Sequence, residues 1–231
     1  MSKLRQYLFI FPIVLVSCAN GDIYSEMVEN LKKIFSTPDD ISAELVNSIP
    51  YASMQVRLGR NQNTLIILEE EKDDILKWTS SNLIKIYTKN GFIIRLKGLD
   101  NELDLIELDK NHPIELGAFY PDSKGKTFTS FYTFNNPRLY RLPVKTKLSF
   151  LKTENIEILD NLYNVKVFEE ESLENLISWK FKNIYWVDEN DQIIKAEQNF
   201  TPKNPKISFT ITKQYKKPEW SGFLWYKKFM K

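Results

Sequence analysis

The chain has 231 residues, of which 42% are hydrophobic, 13% aromatic and only seven glycine; that is enough apolar material for a packed core and excludes a low-complexity chain. Thirty-two basic residues stand against thirty acidic ones. Lys3 and Arg5 lie in the leader, and without them the two signs balance, so no basic excess argues for nucleic acid as a partner.

The first stretch, "MSKLRQYLFIFPIVLVSC", has a short basic head and an apolar run from Tyr7 to Val16. That run is too short to cross a bilayer, which takes about 20 apolar residues, and it fits the apolar region of a secretory signal peptide. Leu15-Val16-Ser17-Cys18 resembles the bacterial lipobox, and Cys18 is the only cysteine. The resemblance implies a diacylglyceryl thioether on Cys18, cleavage before it and acyl chains that hold the protein to a membrane. Each buried methylene adds about 0.8 kcal/mol, and one chain alone holds only marginally. Ala19, where Asp would imply inner-membrane retention, points to the outer membrane, with the protein facing the periplasm. The lipidated thiol leaves no cysteine for a disulfide.

Asp22 to Phe35 has helical spacing. Tyr24, Val28, Leu31 and Phe35 share one face, Asp22 suits an N-cap and Pro38 prevents continuation. After Pro50 the period changes to two. "YASMQVRL" puts Ala52, Met54, Val56 and Leu58 on one side. "NTLIILEE" and "ILKWTS" read as strands. "NLIKIYTKNGFIIRLKG" reads as a hairpin around Asn90-Gly91, the dipeptide favoured in a type I′ turn. "TFTSFYTF", "YRLPVKTKLSF", "LYNVKVFEE", "WKFKNIYWVD", "QIIKAEQNF" and "KISFTITK" follow, with the polar tetrad Asp188 to Asp191 as a turn. About ten strands with almost no helix between them predict a mainly all-β fold: an antiparallel curled sheet, open barrel or sandwich behind one N-terminal helix. The expected organisation is a signal peptide over 1–17, a lipidated N-terminus and helix over 18–44, a β-domain over 45–215 and a tail over 216–231. In that tail Trp220, Phe223, Trp225, Tyr226 and Phe229 alternate with lysines, which suits either a membrane interface or docking on the protein's own surface.

Chemistry-bearing patterns are sparse. His112, the only histidine, sits in "NHPIE" without the company a zinc site or catalytic triad needs, and reads as a solvated loop residue. Gly125-Lys126-Thr127 lacks the first glycine of a P-loop, which should fall at Tyr120. Asp188, Glu189 and Asp191 share one turn, whereas a glycosidase sets its acids across a cleft. No cofactor or metal is implied. The crowded rings from Phe119 to Tyr140 suit sugar stacking or core packing. In "TFTSFYTF", Phe128, Tyr132 and Phe134 alternate onto one face with Phe131 opposite.

Several stretches together resemble the YjbF/GfcB lipoproteins. The matches are Pro50, Tyr51, Ala52 and Ser53 at the first strand, a Trp-containing element at Trp78, the hairpin glycine Gly91, and the segment Gly98 to Leu103. Near the end, Trp179, Tyr185, Trp186, Val187, Asp188, Gln192, Ile193, Glu197 and Gln198 match a final pair of strands. These pattern residues are read as structural. The resemblance implies an all-β domain tethered at the outer membrane and working in group 4 capsule or exopolysaccharide production, with no established catalytic residues. The expected function is that of a non-enzymatic accessory touching polysaccharide or other export proteins, with Tyr120, Tyr132 and Trp186 as contact rings. The rival expectation is a carrier of lipid or lipid-linked intermediates in a β half-barrel. A polysaccharide hydrolase using Asp100 or Glu102 ranks third.

Overall fold

The computed structural model describes residues 41–81, 83–121 and 126–217. Cys18, the helix expected over Asp22–Phe35 and the aromatic tail from Pro218 onward lie outside the described residues.

A short helix, α1 (Ala43–Ser48), comes first. Ser42 caps it by accepting the Leu45 N–H at 3.2 Å, and Ile49 leaves it in extended conformation before Pro50. Twelve strands follow: β1 (Ser53–Leu58), β2 (Thr64–Lys72), β3 (Ile75–Thr79), β4 (Lys85–Lys89), β5 (Phe92–Lys97), β6 (Leu103–Glu107), β7 (Thr127–Phe134), β8 (Leu139–Ile158), β9 (Asn161–Glu174), β10 (Trp179–Val187), β11 (Ile193–Gln198) and β12 (Ile207–Lys213). A single-turn helix, α2 (Pro113–Leu116), lies between β6 and β7. Each strand pairs antiparallel with its neighbours in sequence, and β1 pairs with β12 from Met54↔Ile211 to Leu58↔Ile207, which closes the ring. The expected antiparallel β-fold is therefore a closed barrel rather than an open one. The strand missing from the expected set is β6.

A ring of twelve strands can enclose a lumen. Here side chains fill it. Trp78, Phe92, Phe119, Tyr132, Phe168, Tyr185, Phe200 and Phe209 are all fully buried. The β6–β7 connection folds inward as a plug: His112 and Ile114 are 0% exposed, and the Phe119 ring lies 5.2 Å from that of Phe168. The barrel is also pinched across its diameter. Strands β5 and β11 stand on opposite sides of the ring, yet Gln198 on β11 bonds both backbone groups of Ile93 on β5, donating to its carbonyl at 2.8 Å and accepting its N–H at 3.0 Å. The side-chain amide thus replaces a strand neighbour and satisfies both backbone groups of Ile93. Beside it, the β4–β5 turn has Asn90 at φ 49° and Gly91 at φ 81°, the positive pair of a type I′ hairpin. A Cβ on Gly91 would lie 2.3 Å from the Ile193 carbonyl oxygen, so the opposite wall requires glycine there.

Strands β8 and β9 outrun the barrel. A bulge lies between Phe150 and Lys152, and from Glu154↔Val165 to Ile158↔Asn161, beyond the reach of β10, they form a two-stranded arm. The arm curls back over the barrel's outer face, where Ile158 and Val165 are buried with Ile194 of β11. Trp186 of β10 donates from Nε1 to Glu154 Oε1 at 2.8 Å. At the arm's tip, Leu159 meets a second outer cluster made by Val46 and Ile49 with Leu65 and Ile67 of β2.

Candidate functional site

The residues singled out in sequence fall in three places. Inside the barrel, Trp78 is 1% exposed and donates from Nε1 to Thr88 Oγ1 at 2.9 Å. Trp179 stacks on Phe181 at 4.0 Å and meets Tyr132 edge-on at 5.9 Å. Tyr132 is 1% exposed, so its face cannot reach a polymer; the alternation of β7 turns it inward with Phe128 and Phe134. On the outside, Trp186 is half-buried beneath the arm, with the Lys195 ammonium 4.7 Å over its ring. Tyr120 is 63% exposed in the β6–β7 connection. The three expected contact rings therefore do not form one surface. At the strand ends, Tyr51 is exposed, Ala52 is half-buried against the core, and Ser53 is buried with its hydroxyl 2.9 Å from that of Thr212 across the closing pair. Asp188 accepts the Asn190 and Gln192 N–H groups, both at 2.9 Å, which makes it a turn residue.

His112 is not solvated. It caps α2, accepting the Ile114 N–H on Nδ1 at 3.2 Å, which leaves the proton on Nε2. That nitrogen lies 3.3 Å from Glu170 Oε1, a close approach without the geometry of a hydrogen bond. Glu170, 1% exposed, accepts from Asn183 at 2.7 Å and Tyr185 at 2.5 Å on its other oxygen. Burial pushes the Glu170 carboxyl up, but His112, Tyr185 and Asn183 together outweigh it and hold the group below its usual range. Burial, then the Glu170 charge, pushes the Tyr185 hydroxyl well above its ordinary value. The cluster ties the α2 plug to β9 and β10. A single histidine before a proline gives no local sign of this, because the burial comes from the way the connection carries His112, Ile114 and Phe119 into the barrel.

The buried Glu174 and the half-buried Glu102 are equally committed. Glu174 accepts the Leu176 and Ile177 N–H groups at 2.9 and 2.8 Å. Glu102 accepts the Gly98 N–H at 2.8 Å and contacts Asn135 and Lys97. The Gly98 bond first, then those partners, keeps its carboxyl low despite partial burial. A hydrolase acid needs the opposite shift.

The outer face of β7–β10 carries a concavity of about 570 Å³. Cross-strand pairing sets its floor in two rows, Lys145–Leu173–Lys180 and Lys147–Glu171–Lys182, with Thr127 beside Lys147. Period-two alternation in "VKTKL" and "WKFKN" brings the four lysines to one face, a consequence of register that neither segment shows alone.

A closed, side-chain-filled, antiparallel β-barrel with a folded-back arm is the class this architecture defines. The crystal structure of the hypothetical lipoprotein YmcC from Escherichia coli K12 has a similar fold, with a TM-score of 0.70 over 83% of this chain and 97% of that one at 19% identity. The chain belongs to the YjbF family: residues 28–212 match the family model described as group 4 capsule polysaccharide lipoprotein gfcB, YjbF. Relatives in Escherichia coli K12 are the uncharacterized lipoproteins GfcB, 22% identical over 78% of this chain and 84% of the relative, and YjbF, 23% identical over 92% and 99%.

Proposed function

We propose that the protein is an outer-membrane lipoprotein, anchored through Cys18 and facing the periplasm, that acts as a non-enzymatic accessory in capsule or exopolysaccharide production. The observation that carries this reading is the family match over residues 28–212, which follows a lipobox-like segment ending at Cys18. The commitment of Glu170, Glu174 and Asp188 to the chain's own donors supports a binding rather than a chemical role. A lipid carrier would have to displace the rings that fill the barrel and part the Gln198–Ile93 pinch. The test is deletion followed by complementation. Loss of surface polysaccharide on deletion, restored by the wild-type gene but not by Cys18→Ser, supports the reading. Palmitate labelling and outer-membrane fractionation that depend on Cys18 support the anchor. Unchanged polysaccharide in the deletion strain overturns the accessory role.

A further inference from the structure

The lysine-walled concavity on β7–β10 has an unneutralised half. Lys182 bonds Glu171 at 2.7 Å and Glu169 at 3.1 Å, and Lys147 also acts on Glu171, so both acids of the face are engaged. Lys145 and Lys180 have no acidic partner among the described residues, and they flank the half-buried Leu173. Strands lie about 4.8 Å apart, which puts their Cα atoms about 10 Å from each other across β9. The site is thus a trough with an apolar floor, two free cations on its walls and a threonine hydroxyl at its edge. Cationic walls around an apolar strip suit a chain of sugar rings that bears carboxylates at intervals: the ring faces lie on the leucine while the acid groups reach the ammonium ions.

We propose that this trough binds an acidic polysaccharide through Lys145 and Lys180. The choice of a polysaccharide rests on the function proposed above; the demand for negative charge rests on the trough alone. A flat anionic bilayer would meet the rims and leave the Leu173 floor empty. A single-stranded nucleic acid would want rings on which to stack its bases, and the one ring among the residues lining the trough, Phe181, is buried and stacked on Trp179.

The test uses the full-length protein in detergent and an oligogalacturonate as probe, with its methyl-esterified form as the uncharged counterpart. Three outcomes are expected. The acidic oligomer binds and the ester does not. Added salt weakens binding. The Lys145→Gln/Lys180→Gln double variant loses affinity by roughly tenfold or more, since two charge-assisted contacts go, whereas Lys72→Gln/Lys203→Gln, with the same change in net charge, keeps it. Equal binding of the ester, equal loss in both double variants, or binding only to phosphatidylglycerol vesicles overturns the proposal. In cells, a Lys145→Gln/Lys180→Gln gene that fully restores polysaccharide to the deletion strain overturns the trough's role and leaves the accessory function standing. A deletion without phenotype overturns the accessory function and leaves the binding measurement to decide the trough.

Discussion

Glu170 shows how a single residue links burial to pH. Its carboxyl, facing His112, Asn183, Tyr185 and, by charge, Tyr132, is held below the ordinary value of about 4.3. A group depressed in the folded state adds stability above its unfolded pKa and loses it as pH falls through the folded one. Glu170→Gln should therefore lower stability at pH 7 by about 1–3 kcal/mol, because its amide faces donors, and its deficit should shrink below about pH 4. Denaturant melts of both proteins between pH 3 and 7 check this; a gap that stays constant with pH contradicts it. Gly91 makes a separate demand. Gly91→Ala combines a positive φ, worth about 1–3 kcal/mol in strain, with a collision against Ile193, so its unfolding midpoint should fall well below that of wild type. Gly91 and Gln198 both stood out in sequence as part of a family-like pattern. Their joint work, one making room and the other bonding across the ring, depends on strands a hundred residues apart and is invisible in either segment.

At the scale of elements, the arm is the part least tied to the ring. Trp186→Ala removes its hydrogen bond to Glu154 and the ring under Lys195. Amide exchange over Ile156–Val165 should then quicken by about tenfold or more, with Met54–Leu58 and Ile207–Ile211 unchanged. Equal protection in both proteins would show that Ile158, Val165 and Ile194 hold the arm without it. The elements legible in sequence were those with undisturbed alternation, such as β7, or with a decisive turn, such as Asn90-Gly91. Strand β6 escaped because a register shift between Leu103 and Leu105 breaks its period and only Leu96↔Leu103 joins it to β5. The full length of β8 was hidden by the bulge at Leu151, where Leu151, Lys152 and Thr153 are exposed in succession before Ile156 and Ile158 pack again, now against the arm's outer cluster.

On the scale of the whole molecule, closure through β1 and β12 makes first and last strands mutually dependent. Phe209, 2% exposed, packs in the core beside Met54 and Val56. Phe209→Ala should cost about 3–5 kcal/mol and still give one transition, coincident by tryptophan fluorescence and far-ultraviolet dichroism. Separate transitions would show that the ring breaks into independent parts. The candidate trough was illegible in the sequence for a separate reason. Lys145 and Lys180 are 35 positions apart, and only the registers on either side of Leu173 make them neighbours.

The tie between Gln198 and Ile93 has a mechanical consequence. A hollow tube yields when squeezed or sheared, and its walls move independently. With an amide riveting opposite walls and Gly91 seated against Ile193 without clearance, the two walls of the barrel keep a fixed spacing where they meet. Whatever grips one side pulls on the other at once, as a bracket passes load from one fixing to the next.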